Sequence, residues 1–430
     1  MNNYQKIEFD FKKGFFSGVK KIKELPKFHK FMTYLWILGP FIYLIERDPA
    51  DLWLTSISIA FLFRCYIKKD WRWSGQLWFI FAFLLWMISL LAALSGPYDS
   101  YSFFQGFVWI RFPIYVAAAQ VWLGQDRDIR ITMFISIFIG MILMCLILIL
   151  EILVEGPKER LTWPYGDLVP GSYLAKVSLP IFCVLIYTMI NNFNKNSILS
   201  LFSVLLSLFL IFLSGERGNF LIRFFSGILS IFSTNVKKSK IIKSFFVLLI
   251  FLTTSYFLVL SFNKKIVDRY TNHFFKSIPI INITDDNPYW GAWRSGIQQG
   301  LQKPILGLGP SSSRKHCSKM LEQDTSWLPG KNYCGNHPHN FYIQLFAETG
   351  IIGLIFGTLM FYFIFYTCFS GRNNIPQCPM ISISYIIPLA FFFPLQQTGS
   401  FFGQWGNLFI WFPIGFCMAQ IQDYKSIFKK

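Results

Sequence analysis

The chain has 430 residues, 53% of them hydrophobic and only 14% charged, with a mean hydropathy of +0.44 and a formal net charge of +18. So few charges can hardly dress a water-soluble surface of this size, which argues against a soluble globular protein. An isolated basic excess would suggest nucleic acid, but here the lysines and arginines fall between apolar runs, so much of the charge is topological and no nucleic-acid partner is expected.

The N-terminal stretch FDFKKGFFSGVKKIKEL interleaves phenylalanine with lysine, so residues 1–30 are expected to form a basic amphipathic segment on the anionic cytoplasmic leaflet. Its first long apolar run begins near residue 31 and no small-residue cleavage site follows, which is not the layout of a cleaved signal peptide. Crossing a hydrocarbon core of roughly 30 Å takes about 17–25 apolar residues. Twelve such runs are expected, near 31–47, 51–67, 76–95, 104–123, 131–153, 172–191, 197–213, 219–234, 241–262, 341–369, 380–395 and 401–420, the tenth with a break. The fold class predicted is an all-α polytopic membrane protein of a single domain, 1–430.

Placing the N-terminus inside puts Lys12, Lys13, Lys20 and Lys21, then Lys68, Lys69 and Arg72, then Arg127 and Arg130, and later Lys237, Lys238, Lys240 and Lys243 on the cytoplasmic side. Lys425, Lys429 and Lys430 follow, so both termini are expected in the cytoplasm. On the outer side the same topology sets Arg111 in the outer half of the fourth span, Arg160 in the loop ERLTWPYGDLVPGSYLAK, and Arg217 in the short turn SGERGNFL. An arginine at membrane depth marks a functional position by default, and a guanidinium fork matches a phosphate; each could equally snorkel to the headgroups.

Residues 263–338 then form a large external loop between the ninth and tenth spans, basic on the side where basic residues are not favoured: it carries Lys264, Lys265, Arg269, Lys276, Arg294, Lys303, Arg314, Lys315, Lys319 and Lys331. Four of the five histidines, His273, His316, His337 and His339, lie there too. Cys317 and Cys334 also lie in it, in an oxidising compartment, and are expected to pair as a disulfide; a zinc site with neighbouring histidines is the alternative, although the spacing matches no common ligand frame. Within the loop, YWGAWRSGIQQGLQKPILGLGP predicts a short amphipathic helix on the outer membrane surface, with Ile297 and Leu301 on one face, stopped at Pro304. At the loop's end, Pro338 stiffens the chain between His337 and His339, and Asn340 is placed to cap the tenth span. A histidine there can take a proton from a hydroxyl near neutral pH, or merely close a helix start. No Asp-x-Asp pair offers a divalent metal clamp, and the adjacent Asp285 and Asp286 would make a poor one, so no metal and no cofactor is expected.

HPHNFYIQLFAETGIIGL, WRSGIQQGLQKPILGLGP, RLTWPYGDLVPGSYLA and SGERGNFL, in their order and spacing, resemble the O-antigen ligase and polymerase superfamily of bacterial envelope glycosyltransferases. The resemblance covers most of the chain and implies about twelve helices of the C-type glycosyltransferase kind, with a large periplasmic loop, in the bacterial inner membrane. It implies metal-independent, inverting transfer of a glycan from undecaprenyl diphosphate on the periplasmic side. In a ligase the acceptor is lipid A-core, as in lipopolysaccharide biosynthesis; in a polymerase it is another lipid-linked repeat unit, and the ligase is the reading preferred. By the same resemblance His339 is the base and Arg217 holds the diphosphate; Arg111, Arg160, Arg294 and His337, placed on the outer side by the topology, are expected as further diphosphate contacts. The family's arginine four residues before the loop tryptophan is absent: counted from Trp293 that position is Tyr289, and Arg294 is the expected substitute. A transporter or flippase of lipid-linked glycan is the rival from another class, but its charges should gather near the midplane rather than at one face.

Overall fold

The computed structural model describes residues 11–97, 99–166, 169–191, 196–234, 236–271, 278–279, 282–283, 287–315, 330–371 and 379–421. Their regular secondary structure is all helical, with no strand among the described residues. The helices are α1 (Phe11–Glu24), α2 (Lys27–Ile45), α3 (Arg47–Lys68), α4 (Leu77–Ser95), α5 (Asp99–Trp109), α6 (Arg111–Trp122) and α7 (Arg127–Glu155). A short turn, α8 (Pro170–Ser172), leads through a π-helical turn (Tyr173–Val177) into α9 (Leu179–Asn191). Then come α10 (Asn196–Leu213), α11 (Arg217–Phe232), α12 (Lys238–Phe262), α13 (Lys264–Thr271), α14 (Pro288–Gln302), α15 (Phe341–Gly371), α16 (Pro379–Ser382), α17 (Ile386–Phe391) and α18 (Gln404–Ile421).

Six of these helices, α2, α3, α4, α7, α12 and α15, are long and apolar enough to cross a membrane. The α8–α9 pair, bent by 51°, makes a seventh if it counts as one broken span. Large apolar side chains stay exposed along their flanks, among them Leu52, Ile59, Phe83, Phe246, Phe257 and Tyr362. In water such a belt would be costly; against lipid it is the expected outer surface of a multi-pass membrane protein.

The interior is aromatic. Trp36 lies 4.6 Å from Tyr115 between ring centroids, Trp53 packs on both, and Tyr43 and Phe412 close the cluster across α2, α3, α6 and α18. Two of the buried hydroxyls find carbonyl partners across the bundle: the Tyr43 hydroxyl donates to the Leu408 carbonyl at 3.0 Å, and the Tyr173 hydroxyl to the Pro40 carbonyl at 2.9 Å. The basic N-terminal segment docks on the start of α7. Lys21 reaches Asp126 and Asp128 at 2.8 and 2.5 Å, Ser17 donates to Asp128, and Phe11 stacks on Phe134 at 5.0 Å. Asp126 in turn caps α7 by accepting the Asp128 amide at 2.7 Å.

The expected break in the tenth span is real. Gly350 interrupts α15 at φ 64° and ψ −167°, a backbone region essentially reserved for glycine. The loop after α14 fills the break: the Ile351 amide donates to the Pro304 carbonyl at 2.8 Å, Leu308 to Ala347 at 3.0 Å, and Gly309 to Glu348 at 2.9 Å. The freed helical carbonyls and amides thus find partners in the loop rather than in lipid.

Candidate active site

The helix expected after the loop's aspartates exists as α14. Asn287 caps it by accepting the Tyr289 and Trp290 amides at 3.1 and 3.3 Å, Pro288 occupies its first turn, and its last residue precedes Pro304. Its two faces divide as the sequence suggested, with one addition. Leu301 stays half exposed on the apolar side, whereas the small-residue side packs inward on the 331–346 segment. A methyl group on Gly296 would meet Ile343 and Pro338 at 2.6 and 2.7 Å. Only a hydrogen there lets α14 press against the segment that carries the histidines.

His337 and His339 sit side by side, ring centroids 4.2 Å apart, and both are partly buried. His339 adopts φ 58°, unusual for a non-glycine residue, and its carbonyl accepts the Thr398 amide at 2.8 Å. The His337 Nε2 lies 3.2 Å from the Thr398 carbonyl; since that oxygen only accepts, Nε2 carries the proton and donates. Burial, the neighbouring imidazole and the Arg314 charge push His337 down to about 3, against the Thr398 carbonyl, which raises it. Burial likewise lowers His339. Both rings are therefore neutral at physiological pH, the state in which an imidazole can accept a proton. Tyr289, standing where the family resemblance would place an arginine, packs edge-on against His339 at 5.3 Å. Asn340 caps α15 as expected, accepting the Tyr342 and Ile343 amides at 3.0 and 3.2 Å while donating to the Pro394 carbonyl at 2.6 Å.

The remaining candidates fall into distinct settings. Arg217 opens α11 at the end of an apolar groove of about 260 Å³ between α10, α11 and α12, lined by Phe209, Phe212, Phe220, Phe251, Tyr256 and Tyr270. A cation at a helix N-terminus opposes the macrodipole, a placement that an incoming anion would relieve. Just before it, Glu216 accepts the Gly171 amide at 2.6 Å and a hydrogen bond from Asn219, with Lys176 and Arg160 nearby. Burial raises this carboxyl to about 7, against the stabilising pull of those donors and cations. Arg160 packs against Gly215 of the same turn. Arg111 is held by Asp51 at 2.5 Å, by Thr55 and by Gln404, so its charge is already balanced within the protein. Arg294 is buried, with 3% of its surface exposed. Cys334 is disulfide-bonded; its expected partner Cys317, like His273, His316, Asp285 and Asp286, lies outside the described residues.

A chain of contacts joins the histidine pair to the loop after α7. The loop 393–403 carries Thr398 and leads into α18, where the Trp405 ring meets Tyr165 at 5.4 Å. Tyr165 lies in the loop after α7, within electrostatic reach of Glu216. Sequence reasoning did not single out Glu348, Thr398 or Tyr289 as site residues. Glu348 had a visible signal, a lone carboxylate in an apolar helix; Thr398 acts through its carbonyl, which no side-chain pattern announces.

An all-helical, multi-pass membrane protein that carries a pair of neutral histidines at the start of a broken apolar helix is a suitable frame for chemistry on a lipid substrate. Residues 202–357 match the family model described as O-antigen ligase, which bears out the resemblance to the O-antigen ligase and polymerase superfamily. The matched stretch contains Arg217, Arg294, His337 and His339, while Arg111 and Arg160 precede it. The match supports a glycosyltransferase-like enzyme acting on lipid-linked glycan. No curated protein matches the chain.

Proposed function

We propose that the protein is an O-antigen ligase-like glycosyltransferase of the bacterial inner membrane. It moves a glycan from undecaprenyl diphosphate to a lipid A-core hydroxyl on the periplasmic side, without a metal and with inversion. The chain folds as one membrane domain of twelve spans with both termini in the cytoplasm, residues 1–30 along the inner leaflet and residues 263–338 as the periplasmic loop. The observation that carries this reading is the neutral His337–His339 pair at the start of the broken α15.

In this scheme an unprotonated nitrogen of His339 takes the proton of the acceptor hydroxyl while its oxygen attacks the anomeric carbon. The bond from that carbon to the diphosphate breaks, and its electron pair leaves on the phosphate oxygen. Arg217, with Arg160 beside the Glu216 turn, neutralises the diphosphate as it departs; such fixed cations and a placed base each contribute factors of roughly 10²–10⁴. The apolar groove beside Arg217 suits the lipid's isoprenoid tail. Arg294 and Arg111 enter as supports, the first through α14 and the second through its pair with Asp51, and His337 holds its neighbour rather than the phosphate.

The test is a reaction of the purified full chain with lipid-linked glycan, with and without lipid A-core acceptor, in the presence of a chelator. Glycan joined to the core supports the ligase. Longer lipid-linked glycan from donor alone would make the protein a polymerase, and donor crossing the bilayer with neither product would make it a transporter.

A further inference from the structure

The segment after α14 carries Arg314, and it is pinned to one face of α15. Its backbone bonds to Ala347 and Glu348, and the Ser311 amide then donates to Glu348 Oε2 at 2.7 Å. Ser311 adopts φ 56° to make that bond, and the Lys315 amide closes the turn onto the Ser312 carbonyl at 2.9 Å. Glu348 is fully buried and also accepts from Gln344 at 3.1 Å. The Gln344 amide nitrogen reaches Ser400 at 3.1 Å, and its oxygen accepts the Phe401 amide at 2.8 Å. Ser400 lies two residues beyond Thr398, on which the histidines rest. One buried network on α15 therefore fixes two loops at once: the loop that orients the histidine pair, and the loop that delivers Arg314.

Arg314 is exposed, unlike Arg294, and no described carboxylate pairs with it, unlike Arg111. Its neighbour Lys315 is turned away onto the Tyr101 ring at 4.5 Å. The Arg314 charge is close enough to His337 to disfavour its protonation. We infer that Arg314 is a further substrate-binding residue: it holds a phosphate of the lipid diphosphate beside the histidine pair, with Glu348 as the positioning residue that sets its loop. A guanidinium offers the bidentate fork that a phosphate takes, and here it would meet the leaving group close to the base. The inference rests on the glycan-transfer reading above.

The experiment uses the full chain in lipid nanodiscs, with wild type, Arg314→Gln, Arg314→Glu and His339→Ala. Initial rates are measured against donor and against acceptor, and undecaprenyl diphosphate is added as a competing product. Arg314→Gln should raise the donor KM and the inhibition constant of undecaprenyl diphosphate about tenfold, leaving the acceptor KM alone. Arg314→Glu should raise both further, and His339→Ala should bind the product as wild type does while failing to turn over. The side chain is exposed, so a monodisperse elution profile should accompany each Arg314 variant. A donor KM and inhibition constant within twofold of wild type, or a rise confined to the acceptor KM, would overturn the inference. If wild type neither transfers glycan nor binds undecaprenyl diphosphate, the glycan-transfer reading itself fails and Arg314 loses its role with it.

Discussion

His339→Ala, measured across pH, probes the chemistry most directly. Removing a placed general base typically costs roughly 10²–10⁴-fold, or about 2.7–5.5 kcal/mol of barrier at 1.36 kcal/mol per tenfold. The sign of the pH dependence follows from burial. A histidine at its ordinary value near 6.5 would be only about a quarter neutral at pH 6. His339 is lowered from that value, chiefly by burial, so more of it stays neutral and competent as the medium acidifies. The acid limb of the wild-type kcat/KM profile for the acceptor should therefore be centred below pH 6.5. Rates are followed by glycan mobility on gels, with buffers of constant ionic strength, and the alanine variant should lose the acid limb along with the activity. A limb centred above pH 6.5, or an alanine variant keeping more than a tenth of wild-type activity, would refute the role of His339 as a buried neutral base.

Three other outcomes follow from the same geometry. His337 is pushed down to about 3, so the unfolded chain takes up its proton first as pH falls below about 6.5; the folded state should lose about 2 kcal/mol between pH 7 and pH 5 from this group. His337→Gln, which keeps a donor for the Thr398 carbonyl, should flatten that part of the melting-temperature profile, and parallel profiles would contradict the assignment. Gly350→Ala places a methyl against the Ile305 carbonyl at a φ of 64°, and should cost about 3 kcal/mol or more in stability; an alanine variant that melts with wild type would mean the break in α15 is not fixed by glycine. Asp51→Asn and Arg111→Gln should be non-additive, with a coupling of about 1–3 kcal/mol in a double-mutant cycle of thermal stability, because the pair lies at 2.5 Å and is partly buried; additive losses would return Arg111 to the set of free cations.

The helical membrane class was legible from composition, a break in the tenth span was expected without its position, and the capping role of Asn340 and the end of α14 followed from local rules about asparagine and proline. Each of these signals is local, carried by residues a few positions apart. The pairing of Arg111 with Asp51 was not legible, because the two lie 60 positions apart and meet only when α3 packs on α6. The same holds for α14. Its sequence offers an apolar stripe, and that stripe points outward; what fixes the helix is a row of glycines whose value lies in what they permit Pro338, Ile343 and Phe346 to approach.

Glu348 shows how these two kinds of information combine. A carboxylate in an apolar helix looks like a reactive group, yet its oxygens are committed to Ser311 and Gln344, and its own carbonyl takes the Gly309 amide. It acts as an organiser: a single buried residue, placed at the turn before the Gly350 break, sets both the loop that carries Thr398 and the loop that carries Arg314. The break is what makes this arrangement available, since an unbroken helix would keep its backbone groups to itself and leave neither loop an anchor at that depth. Coupling of this kind implies that loosening either loop disturbs base and phosphate contact together, so the two functions should fail jointly when Glu348 is lost and separately when His339 or Arg314 is.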